Sequence, residues 1–331
     1  MADIRLDRKV AVVTGATGGW GSGAAFALAA RGAAVVLNSR TQAKLDVFAD
    51  RLNRQGGNAI SVAQDIRTLE GASRLVERAV DAYGRVDTLV NCAGVTVTDA
   101  PAGDGNARVG TTKLYGGSLL DMTEESWNLV IGAELTAVFT CTKAAAAQMV
   151  AQGGGGSIIT VVGTILGAAG QSSHAVAKGG VLNGIWSWSD ELKPHGITVN
   201  GVRGYVRSLL TDPSFNTDDF DFGARRETAE LPTEPAEAGE LVAWLASAEA
   251  SDITGAYLGI DGPRITMWEP KLPEAAVFCY PQWTAEELDR SLGPIVRRRP
   301  ARPSMVAVVQ DLFSAHDRAR AEASRAEREP E

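Results

Sequence analysis

Apolar residues along this chain come in short bursts with a turn signal at each end. Residues 10–13, Val-Ala-Val-Val, are too few for a helix and are bounded by glycine, which reads as a strand buried on both faces. The pattern returns at 34–38, 59–65, 86–91, 157–162, 197–202 and 256–260. Between these bursts lie segments of helical composition at 24–30, 41–55, 69–83, 124–150, 173–192 and 237–248. Strands alternating with helices at this spacing predict an α/β chain with a doubly wound parallel sheet of Rossmann type.

The first strand runs straight into Thr14-Gly-Ala-Thr-Gly-Gly-Trp-Gly-Ser-Gly23. Strand, glycine turn and helix together set a dinucleotide pyrophosphate on a helix N-terminus, where unpaired N–H groups and the helix dipole favour negative charge. Gly15, Gly19 and Gly21 let backbone approach phosphate where a Cβ would obstruct it, and Thr17 and Trp20 share the turn. The tip of the second strand is Ser39-Arg40, with no carboxylate. An acid there would bind the 2′-hydroxyl of NAD, whereas a basic residue accepts the 2′-phosphate of NADP. NADP(H) is therefore favoured over NAD, the alternative being that Arg40 is a solvated surface residue.

Three stretches depart from the alternation. Residues 95–117 are rich in Gly, Thr, Ala and Asp without periodicity, and read either as a surface insertion or as a flap over the site. Residues 208–235 carry the acidic run Asp218-Asp219-Phe220-Asp221. Beyond Gly262 the composition shifts to prolines, Trp268, Trp283 and Arg297-Arg298-Arg299, and 314–331 is Ala, Arg and Glu with almost nothing apolar. The organisation expected is one domain over 1–264, an irregular extension over 265–313 packed on it or on a neighbouring subunit, and a polar tail over 314–331.

Of 331 residues, 32 are Lys or Arg and 40 are Asp or Glu, a net charge of −8 with no cationic surplus for nucleic acid. No apolar run approaches the roughly 18 residues that span a bilayer. The first residues are not a signal peptide, and Cys92, Cys141 and Cys279 show no metal spacing. A cytoplasmic protein with no metal, no membrane and no nucleic-acid partner is expected.

The spacing Thr14-Gly15-x3-Gly19-x-Gly21, the segment Asn91-Cys-Ala-Gly94 and Thr254-Gly-Ala-Tyr-Leu-Gly-Ile-Asp-Gly262 resemble the short-chain dehydrogenase/reductase family over roughly residues 5 to 264. The resemblance implies adenine contacts from Asp65 and Ile66, further cofactor contacts from Asn91, Ala93 and Gly94, and a small-molecule substrate. It also implies a homodimer or homotetramer formed through helices 124–150 and 173–192, the second carrying Trp186 and Trp188. Beyond residue 262, Trp283-Thr-Ala-Glu-Glu-Leu288 resembles bacterial relatives of the (3R)-hydroxyacyl-CoA dehydrogenases.

The catalytic half departs from the family pattern. Lys178 stands at the family's lysine, four residues after the position of its tyrosine, but that position holds His174. Thr164 matches the family's serine hydroxyl in a shortened loop, Glu134 replaces its asparagine, and Arg203-Gly204-Tyr205 replaces its Pro-Gly turn. Three readings stay open: an oxidoreductase reducing a carbonyl with His174 as proton donor; a proton-transfer enzyme (dehydratase, isomerase or cyclase) using His174 and Glu134; and a non-catalytic nucleotide-binding subunit. Tyr205 and Tyr115 are alternative sources of a phenol.

Overall fold

The computed structural model describes residues 4–94, 108–109, 112–113, 119–163, 171–208, 232–262 and 264–268, with single residues 290 and 294. Among these residues the ten strands are β1 (Val10–Thr14), β2 (Ala34–Ser39), β3 (Asn58–Ala63), β4 (Thr88–Asn91), β5 (Arg108–Val109), β6 (Thr112–Lys113), β7 (Gly156–Val161), β8 (Ile197–Arg203), β9 (Tyr257–Asp261) and β10 (Arg264–Trp268). The α-helices are α1 (Gly19–Ala30), α2 (Gln42–Arg54), α3 (Leu69–Tyr83), α4 (Glu124–Ile131), α5 (Ala137–Gln152), α6 (Ser172–Leu192) and α7 (Pro235–Leu245).

Eight strands form one sheet in the order β10-β9-β8-β7-β4-β1-β2-β3, parallel throughout except for β10. The strands run outward from β1 in one direction and from β4 in the other, so the switch point lies between β1 and β4, where open sheets leave a crevice. One apolar layer joins the sheet to α1, α2 and α7 through Leu28, Phe48 and Leu245. The other joins it to α3, α5 and α6 through Leu75, Met149 and Ile185. The alternation read from the sequence is thus the architecture found.

Several boundaries differ from the pattern. Helix α1 starts at Gly19, inside the glycine run, so Gly19, Trp20 and Gly21 form its first turn rather than a loop before it. That start needs small residues, because a Cβ on Gly21 would strike the Gly15 carbonyl. Strand β3 ends at Ala63, where the Asn38 amide captures the carbonyls of Val62 and Gln64. The single helix expected over 124–150 is interrupted by a π-helical turn at Gly132–Thr136. Within the aperiodic stretch 95–117, β5 and β6 pair as a two-stranded ribbon.

The irregular extension expected from residue 265 instead opens as a strand. β10 pairs antiparallel with β9, Trp268 opposite Tyr257 and Arg264 opposite Asp261. Its apolar Ile265 and Met267 are exposed, so the run holds no buried apolar burst to mark it as a strand. Residues 124–152 form a helix long and apolar enough, by length and composition, to cross a bilayer, although its apolar residues do not form one unbroken run. Half of its apolar window is buried inside the protein, and Ala137, Cys141, Ala145 and Met149 pack into the second apolar layer, which accounts for the composition.

Candidate active site

The crevice at the carboxyl ends of β1 and β4 is held together by buried polar side chains. Thr14, fully buried, accepts hydrogen bonds on its hydroxyl from the Cys92 and Ala93 amides, 3.2 Å each, and so clamps the end of β4 to β1. Asn91 donates its side-chain amide to Thr142 and Thr160 hydroxyls at 3.2 Å. It therefore braces β4 against β7 and α5, and its backbone, with Ala93 and Gly94, continues toward the crevice. Gly15 follows with φ +62°, and a Cβ there would lie 2.7 Å from the Cys92 carbonyl oxygen. Only glycine fits both the left-handed backbone and the approach of the two strand ends.

Helix α1 then begins on Gly18 without any side-chain cap and without an acidic residue in its first turn. Among the described residues no side chain caps its first N–H groups, which with the helix dipole suit an anion. Thr17 and Trp20 are half-buried beside this turn. At the far end of the crevice Ser39 is half-buried and Arg40 is exposed. Asp65 pairs with Arg67, which holds its carboxyl below the usual range; the Arg40 charge adds a smaller pull in the same direction. Ile66 is buried, and its carbonyl accepts from the Thr140 hydroxyl.

The π turn brings Glu134 into the site. An extra residue in one turn shifts the helix face, so a carboxylate that would otherwise lie elsewhere on the helix is turned inward, where it is only 5% exposed. One of its oxygens, Oε2, lies 2.7 Å from His174 Nδ1 and 3.8 Å from Lys178 Nζ. His174 and Lys178 stand one turn apart on α6, so both reach the same carboxylate. Lys178 is buried, whereas the His174 side chain keeps 30% of its surface open. A carboxylate only accepts, so Nδ1 carries the proton in this contact and the other ring nitrogen is left for exchange. The three residues placed by the sequence thus meet around one oxygen.

Other expectations fall differently. Thr164 and Tyr115 lie outside the described residues, as do Cys279 and residues 283–288. Tyr205 follows β8, is half-buried, and has its phenol pushed up by burial. Cys92 and Cys141 are pushed up to about 12 by burial, which removes both thiols as nucleophiles near neutral pH. Among the described residues no cluster of His, Cys, Asp and Glu could hold a metal.

Two features escaped the sequence reading. Arg203 donates from Nη1 to Asp261 Oδ2 at 2.8 Å, both buried, and the other Asp261 oxygen accepts the Tyr205 amide. Tyr257, fully buried in β9, donates its hydroxyl to the Gly163 carbonyl. The signals were an arginine in a buried strand and an aromatic inside the segment 254–262, each of which needs a polar partner.

Comparison with known proteins fits this fold. The family model for short chain dehydrogenase matches residues 9–218. A 3-oxoacyl-(acyl-carrier-protein) reductase of Thermotoga maritima is 31% identical over 268 residues, covering 78% of this chain and 98% of its own. A cis-4-hydroxycyclohexanecarboxylate dehydrogenase of Sinomonas cyclohexanicum is 36% identical over 258 residues, 77% of this chain and 95% of its own. Among solved structures, a short chain dehydrogenase from Mycobacterium avium superposes with a TM-score of 0.71 at 27% identity, covering 90% of this chain and 98% of that one.

Proposed function

The chain belongs to the short-chain dehydrogenase family of oxidoreductases, and from that premise we propose that it reduces a carbonyl with NADPH, using His174 in place of the family's tyrosine. The observation that carries this reading is the single Glu134 oxygen shared by His174 and Lys178.

The residues present fit a nicotinamide dinucleotide. The uncapped, acid-free start of α1 and the Gly15 backbone suit the pyrophosphate, with Gly15, Thr17, Gly19, Trp20 and Gly21 around it. Ser39 and Arg40 would hold the 2′-phosphate, Asp65 and Ile66 the adenine, and Asn91, Ala93, Gly94 and Lys178 the nicotinamide half. When bound, the cofactor supplies the hydride.

The chain itself supplies the proton. Glu134 fixes the imidazole by its Nδ1–H, and the other ring nitrogen, once it has taken up a proton, gives it to the oxygen that the hydride converts to an alcohol, leaving the neutral ring. A lysine one turn away would oppose a cationic ring. Glu134 lies against both groups and offsets that charge. Substrates of medium size with apolar or acyl character follow from the relatives, one of which reduces a 3-oxoacyl group by name.

The test is NADPH consumption against a panel of 3-oxoacyl thioesters and apolar ketones. Turnover on any of them supports the reading, and NADPH binding without turnover across the panel defeats it. The Glu134–His174 contact also suits proton transfer without redox change. In that case product would form while NADPH stayed unconsumed.

A further inference from the structure

We propose that Tyr257 is a positioning residue for Lys178, acting through the Gly163 peptide, and that strand β10 belongs to this support. The inference rests on the reading of Lys178 as a cofactor-holding residue.

The contacts run from the sheet edge to the site. Trp268 of β10 packs its ring 6.0 Å from that of Tyr257, and the Arg203 guanidinium lies 5.5 Å from the Trp268 ring centroid. Arg203 is itself anchored by Asp261. Held this way, Tyr257 donates its hydroxyl to the Gly163 carbonyl at 2.5 Å. Gly163 has φ +75°, and a Cβ on it would lie 3.8 Å from Lys178 Cε, so the residue sits beside the lysine stem. The hydroxyl holds this left-handed peptide in place beside Lys178. Lys178 then reaches Glu134 at 3.8 Å.

Tyr257 carries a phenol on this side of the sheet edge, and its chemistry excludes it as the proton donor missing from position 174. Burial raises its pKa; Asp261 raises it further and Arg203 opposes, the burial dominating. A phenol activated for exchange needs the reverse. Its hydrogen goes to a backbone carbonyl, and its role is geometric.

The experiment is a double-mutant cycle read by NADPH fluorescence on the full chain: wild type, Tyr257→Phe, Lys178→Met and the double variant. Tyr257→Phe removes one oxygen, and a thermal melt run alongside confirms that each variant is folded. The expected result is that Tyr257→Phe weakens NADPH binding about three- to tenfold, the worth of one hydrogen bond. In the Lys178→Met background the same change has an effect of less than about twofold, because the group it positions is gone. Equal losses in the two backgrounds, or no loss with Tyr257→Phe, would overturn the proposal and leave Tyr257 as packing. If Lys178→Met alone left NADPH affinity unchanged, or wild type did not bind it, the reading of Lys178 would fall, and the proposal with it.

Discussion

Replacing Glu134 by glutamine tests the electrostatics of the site before any substrate is known. The change keeps the shape and one oxygen that can accept from His174, but removes the charge facing Lys178. At the observed 3.8 Å and an effective dielectric constant of about 20, that attraction amounts to about 4 kcal/mol. Breaking a buried pair by deleting one partner costs roughly 3–5 kcal/mol in other proteins, which agrees. Both side chains are less than a tenth exposed, so solvent screening takes little off this figure. Thermal unfolding of the cofactor-free protein reads it, and about 4 kcal/mol in a chain of this size lowers Tm by roughly 10 °C. The decisive arm is the double variant Glu134→Gln with Lys178→Met. It removes both charges, and should recover about 2 kcal/mol or more relative to the sum of the single losses. Strict additivity, within about 0.5 kcal/mol, would mean the two groups do not interact and would refute the shared-oxygen account.

The remaining predictions concern cofactor choice, chemistry and assembly. Arg40→Ala should weaken NADPH about tenfold while leaving NADH nearly unchanged, since a guanidinium bonds the 2′-phosphate that NADH lacks; titrating both cofactors decides it, and equal losses would make Arg40 a surface charge. His174→Tyr should keep carbonyl reduction and move its optimum to higher pH, because a free phenol titrates near about 10, and a pH–rate profile shows this directly. Cys92 and Cys141, pushed up to about 12 by burial, should resist iodoacetamide at mildly alkaline pH, as peptide mass spectrometry would reveal. Phe139 on α5 and Val176 on α6 are about half exposed, an apolar face expected to pair in a homo-oligomer; light scattering at the single-chain mass of 34.7 kDa would refute that.

The sheet was legible because a buried parallel strand writes itself as an unbroken apolar burst, and β1 and β2 each do so. The cofactor crevice was legible for a related reason: Gly15 is the residue that its backbone angle and close packing both demand. Glu134 could be found by alignment to the family pattern, but not its orientation. That depends on a π turn, which leaves no mark in apolar periodicity. The contribution of β10 was hidden because half of its residues face outward, Ile265 and Met267 among them. Tyr257 read as one more apolar position in a strand, since its partner is a carbonyl ninety-four residues away.

The most direct measurement is the rate of NADPH-dependent carbonyl reduction by His174→Phe against wild type, with NADPH affinity measured on the same samples. Phenylalanine keeps a ring in the same space and removes both nitrogens. A fall in kcat of about 10²- to 10⁴-fold with cofactor affinity preserved is the predicted result. Unchanged kcat would contradict the account, since the proton would then come from a group other than His174.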